Sequence, residues 1–246
     1  MPPLAPEFAL RVTHYHGYMH LTAQDSPATG TPSNPHSTTR EIRGPGTGAQ
    51  SSTGQWLVTD GTRWWFDTSS LALDFAYTGP VSSDVSSEDS ESETFTGPAD
   101  LTAWLSNRLP SVAATGRDLQ DALMLRGSIA RLALAASAAR EPDAHDIDLL
   151  NLYAATPDIP PRLSGGTVQA GRTAPRTAQA LSTVARDAVS LLSGETLGRI
   201  RECDADDCSL IYLDTSRAGN RRWCSMQRCG NRHKVRAHRA REAATR

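Results

Sequence analysis

Apolar positions recur at helical spacing through most of the second half of the chain. Leu119, Ala122, Leu123, Ile129, Leu132, Ala133 and Ala136 follow the 3.6-residue period and predict a helix over 117–140. Upstream, Pro98 and Asp100 precede LTAWLSNRL, with Asp100 placed as an N-cap. Pro142 and Asp143 open a further helix carrying Ile147, Leu150 and Leu152. Leu181, Val184, Ala185, Ala188, Val189 and Leu192 mark another, stopped by Gly194 as a C′ residue. The pattern changes at RWWFDTSSLALDFAYTGP, where aromatic and β-branched clusters flank Asp67–Ser70 and predict a hairpin or a strand-turn-helix. Three stretches have no apolar period. Residues 22–55 are rich in Thr, Ser, Gly and Pro and predict disorder. VSSDVSSEDSESE reads as a solvated serine–acid loop open to phosphorylation, and 156–176 as a Pro/Gly connection with a short hairpin at Gly165–Gly171.

Composition adds two points. The 246 residues have a mean hydropathy of −0.43, enough for one sizeable domain and a small one. No run approaches the ~20 apolar residues that span a bilayer, and MPPLAPEFALRVTHYHGYMH lacks the form of a secretory signal. The expected location is cytoplasmic, with no membrane partner. Net charge is −2, but the part from Arg217 onward carries ten Lys/Arg and one Glu, a balance of +9, against −11 for the rest. A basic tail on an acidic body is the asymmetry of a polyanion-binding module joined to something else. His14, His16 and His20 lie close together, without an ordered context that would make them a metal site.

The four cysteines change the picture most. Cys203, Cys208, Cys224 and Cys229 form C-x4-C-x15-C-x4-C, with none left over. Two pairs, each on a tight turn, are what a tetrahedral Zn²⁺ needs at Zn–S distances of ~2.3 Å. Disulfides would need an oxidising compartment, a dithiol redox site favours C-x-x-C, and iron–sulfur clusters favour other spacings. A site of four sulfurs is closed to water, which disfavours catalysis by the metal. Between the pairs, SLIYLD is strand-like, TSRAGN is a turn and RRWC returns toward the metal. GNRHKVRAHRAREA then reads as helix, Gly230 allowing a tight start and Asn231 capping it. Knuckle, hairpin and helix make a treble-clef-like finger, too small to hold together by its own core and expected to fold only with metal bound.

Cys229-Gly230-Asn231-Arg232, with Cys203, Cys208, LIYLDTSR, RRWCSM and CGNRHKVRAHR, resembles the CGNR zinc finger from about Leu197 to Arg241. SLALDFAYT and DLTAWL resemble the opening of the ABATE domain that precedes this finger. The resemblance implies a stress-induced transcriptional regulator with a mainly helical first domain and a DNA-binding finger. The long amino-terminal extension and the acidic serine insertion depart from the family pattern. The expected fold class is mainly α: a helical domain with a short β-hairpin, followed by a small α+β zinc finger. Its boundaries are 1–56 for a disordered low-complexity extension, 57–195 for the ABATE-like domain and 196–246 for the finger.

On a helix beginning near Asn231, Arg232, Arg236 and Arg239 share one face, while Lys234, His238 and Arg241 form a second, nearly opposite group. Arg221 and Arg222 on the hairpin add cations. One set reads or clamps double-stranded DNA and the other reaches flanking phosphates; six phosphate contacts give a log–log salt slope of about −5. Arg232 either serves this surface or pairs with Asp214 to hold helix to hairpin. Trp223, Val235 and Tyr212 are expected in the finger core, and Met226 in knuckle packing. Asp74, between Leu73 and Phe75, is a structural or ligand candidate that needs a partner such as Arg63 or Arg126 if buried. The helical domain is expected to sense a small-molecule effector or to form a homodimer. No P-loop, G-x-S-x-G or dinucleotide glycine pattern is present, so no enzymatic step is expected. A protein-interaction adaptor, an RNA-binding protein and an enzyme sited in the helical body are the rival readings.

Overall fold

The computed structural model describes residues 40–41, 53–59, 62–81, 93–110, 112–160 and 174–245. The histidine cluster at 14–20, the proposed disorder of 22–55 save its few described residues, the serine–acid run at 82–92 and the hairpin near 165–171 lie outside these.

Three short strands open the described fold. β2 (Gln55–Thr59) and β3 (Thr62–Phe66) pair antiparallel with Trp56 opposite Trp65, and β1 (Arg40–Glu41) lies parallel to β3. Of the two alternatives read around Asp67–Ser70 the strand-turn-helix occurs, β3 passing through that turn into α1 (Leu71–Ala76), whereas the hairpin is made by β3 with the preceding β2. Ser70 caps α1, and Asp187 accepts hydrogen bonds from Ser70 Oγ and the Ala72 N–H, both at 2.8 Å. A carboxylate at a helix N-terminus satisfies orphan donors and complements the dipole.

Helices α2 (Pro98–Ser106), α3 (Gly116–Ser137), α4 (Ala144–Ala155) and α5 (Thr177–Leu191) build the body. Their starts follow local chemistry. Thr115 and Asp118 form a reciprocal capping box on α3, and Asp143 caps α4 as its sequence position implies. Asp100 differs from expectation. It sits at the third position of α2, where its carboxylate accepts from the N–H groups of Thr96 and Gly97, and Gly97 is the cap. Gly194 also moves: α5 ends at Leu191, and Gly194 takes a left-handed φ of +57° to open the short α6 (Gly194–Leu197). Leu73, Phe75, Leu101, Leu105, Leu125, Ile129, Leu181 and Val184 fill one core. Arg126 clamps Glu93 at 2.8 and 2.6 Å and lies so close to Gly79 that a Cβ there would run into its guanidinium.

Beyond α6, β4 (Ile200–Glu202) pairs antiparallel with β5 (Ile211–Leu213). The strand in SLIYLD is thus present, but its partner is the segment before Cys203 and not RRWC. RRWC is held instead by the Asp204 N–H donating to the Arg222 carbonyl at 2.8 Å. Successive side chains on a strand face opposite ways, and β5 uses this to join two cores. Ile211 packs into the helical body, and Tyr212 packs among the cysteines. The last helix, α7 (Asn231–Ala244), follows a π-helical turn at Met226–Gly230.

Candidate metal centre and the basic helix beside it

Each cysteine pair is placed by a short backbone device. β4 delivers Cys203, whose N–H donates to the Leu210 carbonyl at 3.0 Å, and the Cys208 N–H closes the turn onto the Ala205 carbonyl at 3.0 Å. On the other side Cys224 precedes the π-turn, closed by the Gly230 N–H donating to the Ser225 carbonyl at 3.0 Å, and Cys229 lies buried within it. The four Sγ atoms converge within 4.8 Å of one another. Cys208 and Cys224 stand 3.7 Å apart, and Cys224 and Cys229 3.6 Å. A disulfide needs ~2.05 Å, so these are four separate thiols. The edge of a tetrahedron with Zn–S of ~2.3 Å is about 3.8 Å, close to these two spacings. Without a cation the charges conflict. Cys203, taking hydrogen bonds from Cys208 and Cys224, is pushed well down, while that same sharing pushes Cys208 and Cys224 up. A divalent ion removes the conflict by making four thiolates compatible. The donor set fits zinc, which Cys203, Cys208, Cys224 and Cys229 would hold.

The surrounding arginines divide by role. Arg221 is tied into the knuckle: Nε donates to the Trp223 carbonyl at 3.0 Å, Nη2 donates to the Cys224 carbonyl, and the guanidinium covers the Tyr212 ring at 4.2 Å. Arg222 pairs with Asp204 at 2.8 Å. Arg232 donates to Cys229 Sγ at 3.2 Å and to Asp207 at 2.9 Å, and Arg236 donates to the same Asp207 oxygen at 2.9 Å. The pairing of Arg232 with Asp214 does not occur. Asp214 is fully buried and accepts from the N–H groups of Ser216 and Arg221, both at 2.9 Å, fixing the turn between β5 and the second knuckle. Lys234 and Arg239 have no ion-pair partner among the described residues, and α7 buries none of its side chains.

The packing expectations for the finger are met in part. Tyr212 is fully buried and Trp223 packs partly against the cysteine cluster, but Val235 is 49 % exposed because α7 turns no face to a core. Met226 is half exposed, with its sulfur lying over Gly230. Gly230 itself has φ −61°, an ordinary helical value, and Asn231 donates to the Gln227 carbonyl at 3.3 Å without capping α7, because the π-turn already leads into the helix.

Sequence reasoning missed the contribution of the body to this centre. Trp64 and Phe66 of β3 and Tyr77 after α1 pack in one cluster with Cys203, Cys224 and Cys229. Arg228 covers the Trp64 ring at 4.8 Å, the Ile211 N–H donates to Tyr77 Oη at 2.6 Å, and the Leu213 N–H donates to the Thr68 carbonyl at 2.9 Å. The alternation of Trp64 and Phe66 on one strand face was the available signal. Asp74 lies one step from this seam. It is fully buried, accepting from Thr68 Oγ1 at 2.7 Å and from the Gly54 N–H. Neither expected partner is used: Arg126 holds Glu93, Arg63 lies over the Trp56 ring at 4.5 Å, and the nearby cation is Arg108.

Among the described residues no helix is long and apolar enough to cross a membrane. No curated protein matches the chain. Residues 199–242 match the family model of the CGNR zinc finger, and residues 69–195 match that of ABATE, described as "Putative stress-induced transcription regulator". The hairpin β2–β3 precedes both matched regions. With more than half of its length under the second model and the four-sulfur centre under the first, the chain belongs to the ABATE family and carries a CGNR zinc finger at its carboxy end.

Proposed function

We propose that this protein is a cytoplasmic transcriptional regulator that binds double-stranded DNA through its metal-organised finger, with no chemical step of its own. The observation that carries the reading is α7. Fourteen residues long, it bears Arg232, Lys234, Arg236, Arg239 and Arg241 against a single Glu242, and none of its side chains is buried. A helix polar all round has no core to explain it, and one of this length is marginal in water on its own. Asp207 answers Arg232 and Arg236, but no carboxylate among the described residues answers Lys234, Arg239 and Arg241, and a polyanion would neutralise these with phosphates. Hairpin, knuckles and a helix rising from the last metal ligand support a treble-clef-like arrangement, in which the zinc aims the helix.

The effector arm of the reading is supported by a groove of about 300 Å³ where body and finger meet, lined by Val81, Leu134, Ser137, Arg140, Glu202 and Ser209. The homodimer arm is supported by Leu152 of α4, 67 % exposed. Fluorescence anisotropy of the metal-loaded full chain with a labelled duplex, across a salt series, tests the central part. The expected log–log slope is about −4 to −5, lost on chelation. A structured RNA that outcompetes the duplex would replace DNA by RNA as the target. Absence of salt-dependent binding to either would replace this reading by a protein-interaction adaptor.

A further inference from the structure

The loop between Cys203 and Cys208 contains Asp204, Asp206 and Asp207, an acidic triplet set directly against the basic surface. Two of these residues hold three of the cations that the DNA-binding reading needs. Asp204 takes Arg222 at 2.8 Å, and one oxygen of Asp207 takes Arg232 Nη1 and Arg236 Nη2, each at 2.9 Å. Two guanidinium groups converging on one oxygen is how arginines receive a phosphate. The pairings are open to solvent, since the side chains of Arg232, Asp207 and Arg236 are 32, 39 and 55 % exposed. Ion pairs this exposed are weak and screened by salt, so they are readily exchanged for a stronger anion.

We propose that Asp207 occupies, in the free protein, the place of a backbone phosphate, and that bound DNA displaces it from Arg236. The inference rests on the DNA-binding reading and adds an internal competitor to it. Arg232 is held a second time, by Cys229 Sγ at 3.2 Å, and stays with the metal centre. Arg236 has no second partner among the described residues and is the group that changes hands. The consequence is a lower affinity for DNA at large: the Arg236 contact forms only when a phosphate reaches the knuckle closely enough to replace a carboxylate already there.

The test uses the full metal-loaded chain and its Asp207→Asn form with a labelled duplex of arbitrary sequence, across a salt series. The inference expects Asp207→Asn to bind about two- to fivefold more tightly at low salt. Its log–log slope should stay close to that of the wild type, since Arg236 meets a phosphate in both bound forms. Unchanged or weaker binding by Asp207→Asn at full metal content overturns the inference while wild-type binding leaves the DNA reading intact. Should the substitution release the metal, the wild-type chain decides: the carboxyl carbon signal of Asp207 in carbon-13 NMR must move when the duplex is added, and a signal unmoved at saturation overturns the inference. No binding by the wild-type chain at low salt removes the DNA reading and the inference with it.

Discussion

Asp74 shows how one buried carboxyl ties three segments together. Its two oxygens take the Gly54 N–H before β2 and the Thr68 hydroxyl after β3, and the Thr68 carbonyl accepts the Leu213 N–H of the finger. Burial pushes its carboxyl up to about 6, only partly offset by these hydrogen bonds and by Arg108. The unfolded value is about 3.9, so the folded state favours the protonated form. Its contribution to stability is therefore full below pH ~4 and falls away as pH rises to about 6, by about 3 kcal/mol at ~1.4 kcal/mol per pH unit. Asp146, held low by Arg131, contributes with the opposite sign. The expected observation is a difference: denaturant unfolding from pH 4 to 7 should show the wild type losing stability relative to Asp74→Asn, and parallel curves would refute the assignment. The apolar company of Asp74 was legible in the chain, but its partners were not, since a backbone N–H twenty residues away leaves no mark in a side-chain pattern. Gly230 gives a second residue-scale prediction. Its φ is ordinary, and the close contacts of a Cβ would be with the sulfur and methyl of the half-exposed Met226. Gly230→Ala should cost about 1 kcal/mol or less and keep its metal; metal loss measured by chelator competition would show a tighter constraint.

Elements were legible where their signal is local. The Asp143 cap of α4 and the apolar periods of α3 and α5 depend on neighbours a few residues apart, and these helices lie where the pattern puts them. The pairing of β5 was misread because Ile200–Glu202 is too short to show a period, and RRWC, though close by, bonds through a loop. Hairpin β2–β3 carries the larger consequence. Trp64 is 1 % exposed, covers the cysteines from the body side and is covered by Arg228. Trp64→Ala should cost about 3–5 kcal/mol in thermal or denaturant unfolding and quicken zinc release to a chelator. A chain shortened to begin at Ser69, near the start of the matched region, should show the same loss, and unimpaired zinc retention would show the finger to be self-sufficient. At the far end, the outer turns of α7 are stiffened by His238–Glu242 at 3.5 Å and by the Thr245 hydroxyl on the Arg241 and Glu242 carbonyls, all exposed contacts. Hydrogen exchange there should be fast in the free protein and slowed by duplex DNA; equal rates would place the contact elsewhere.

On the scale of the whole molecule, the uneven division of charge and the clustering of all cysteines in one segment made the two-part organisation legible. The joint was not. Ile211 and Tyr212 are adjacent in the chain yet belong to different cores, and Tyr77 of the body reaches the Ile211 N–H. Body and finger therefore share a wall, and whatever alters the seam reaches the metal and, through the π-turn, the start of α7. All of this depends on a single ion held by Cys203, Cys208, Cys224 and Cys229. Native mass spectrometry of gently purified protein tests it most directly. One zinc per folded chain, with all four thiols free of disulfide and alkylated only after chelation, is the predicted result. A folded chain without metal, or one whose mass shows its cysteines joined to each other, would contradict the account.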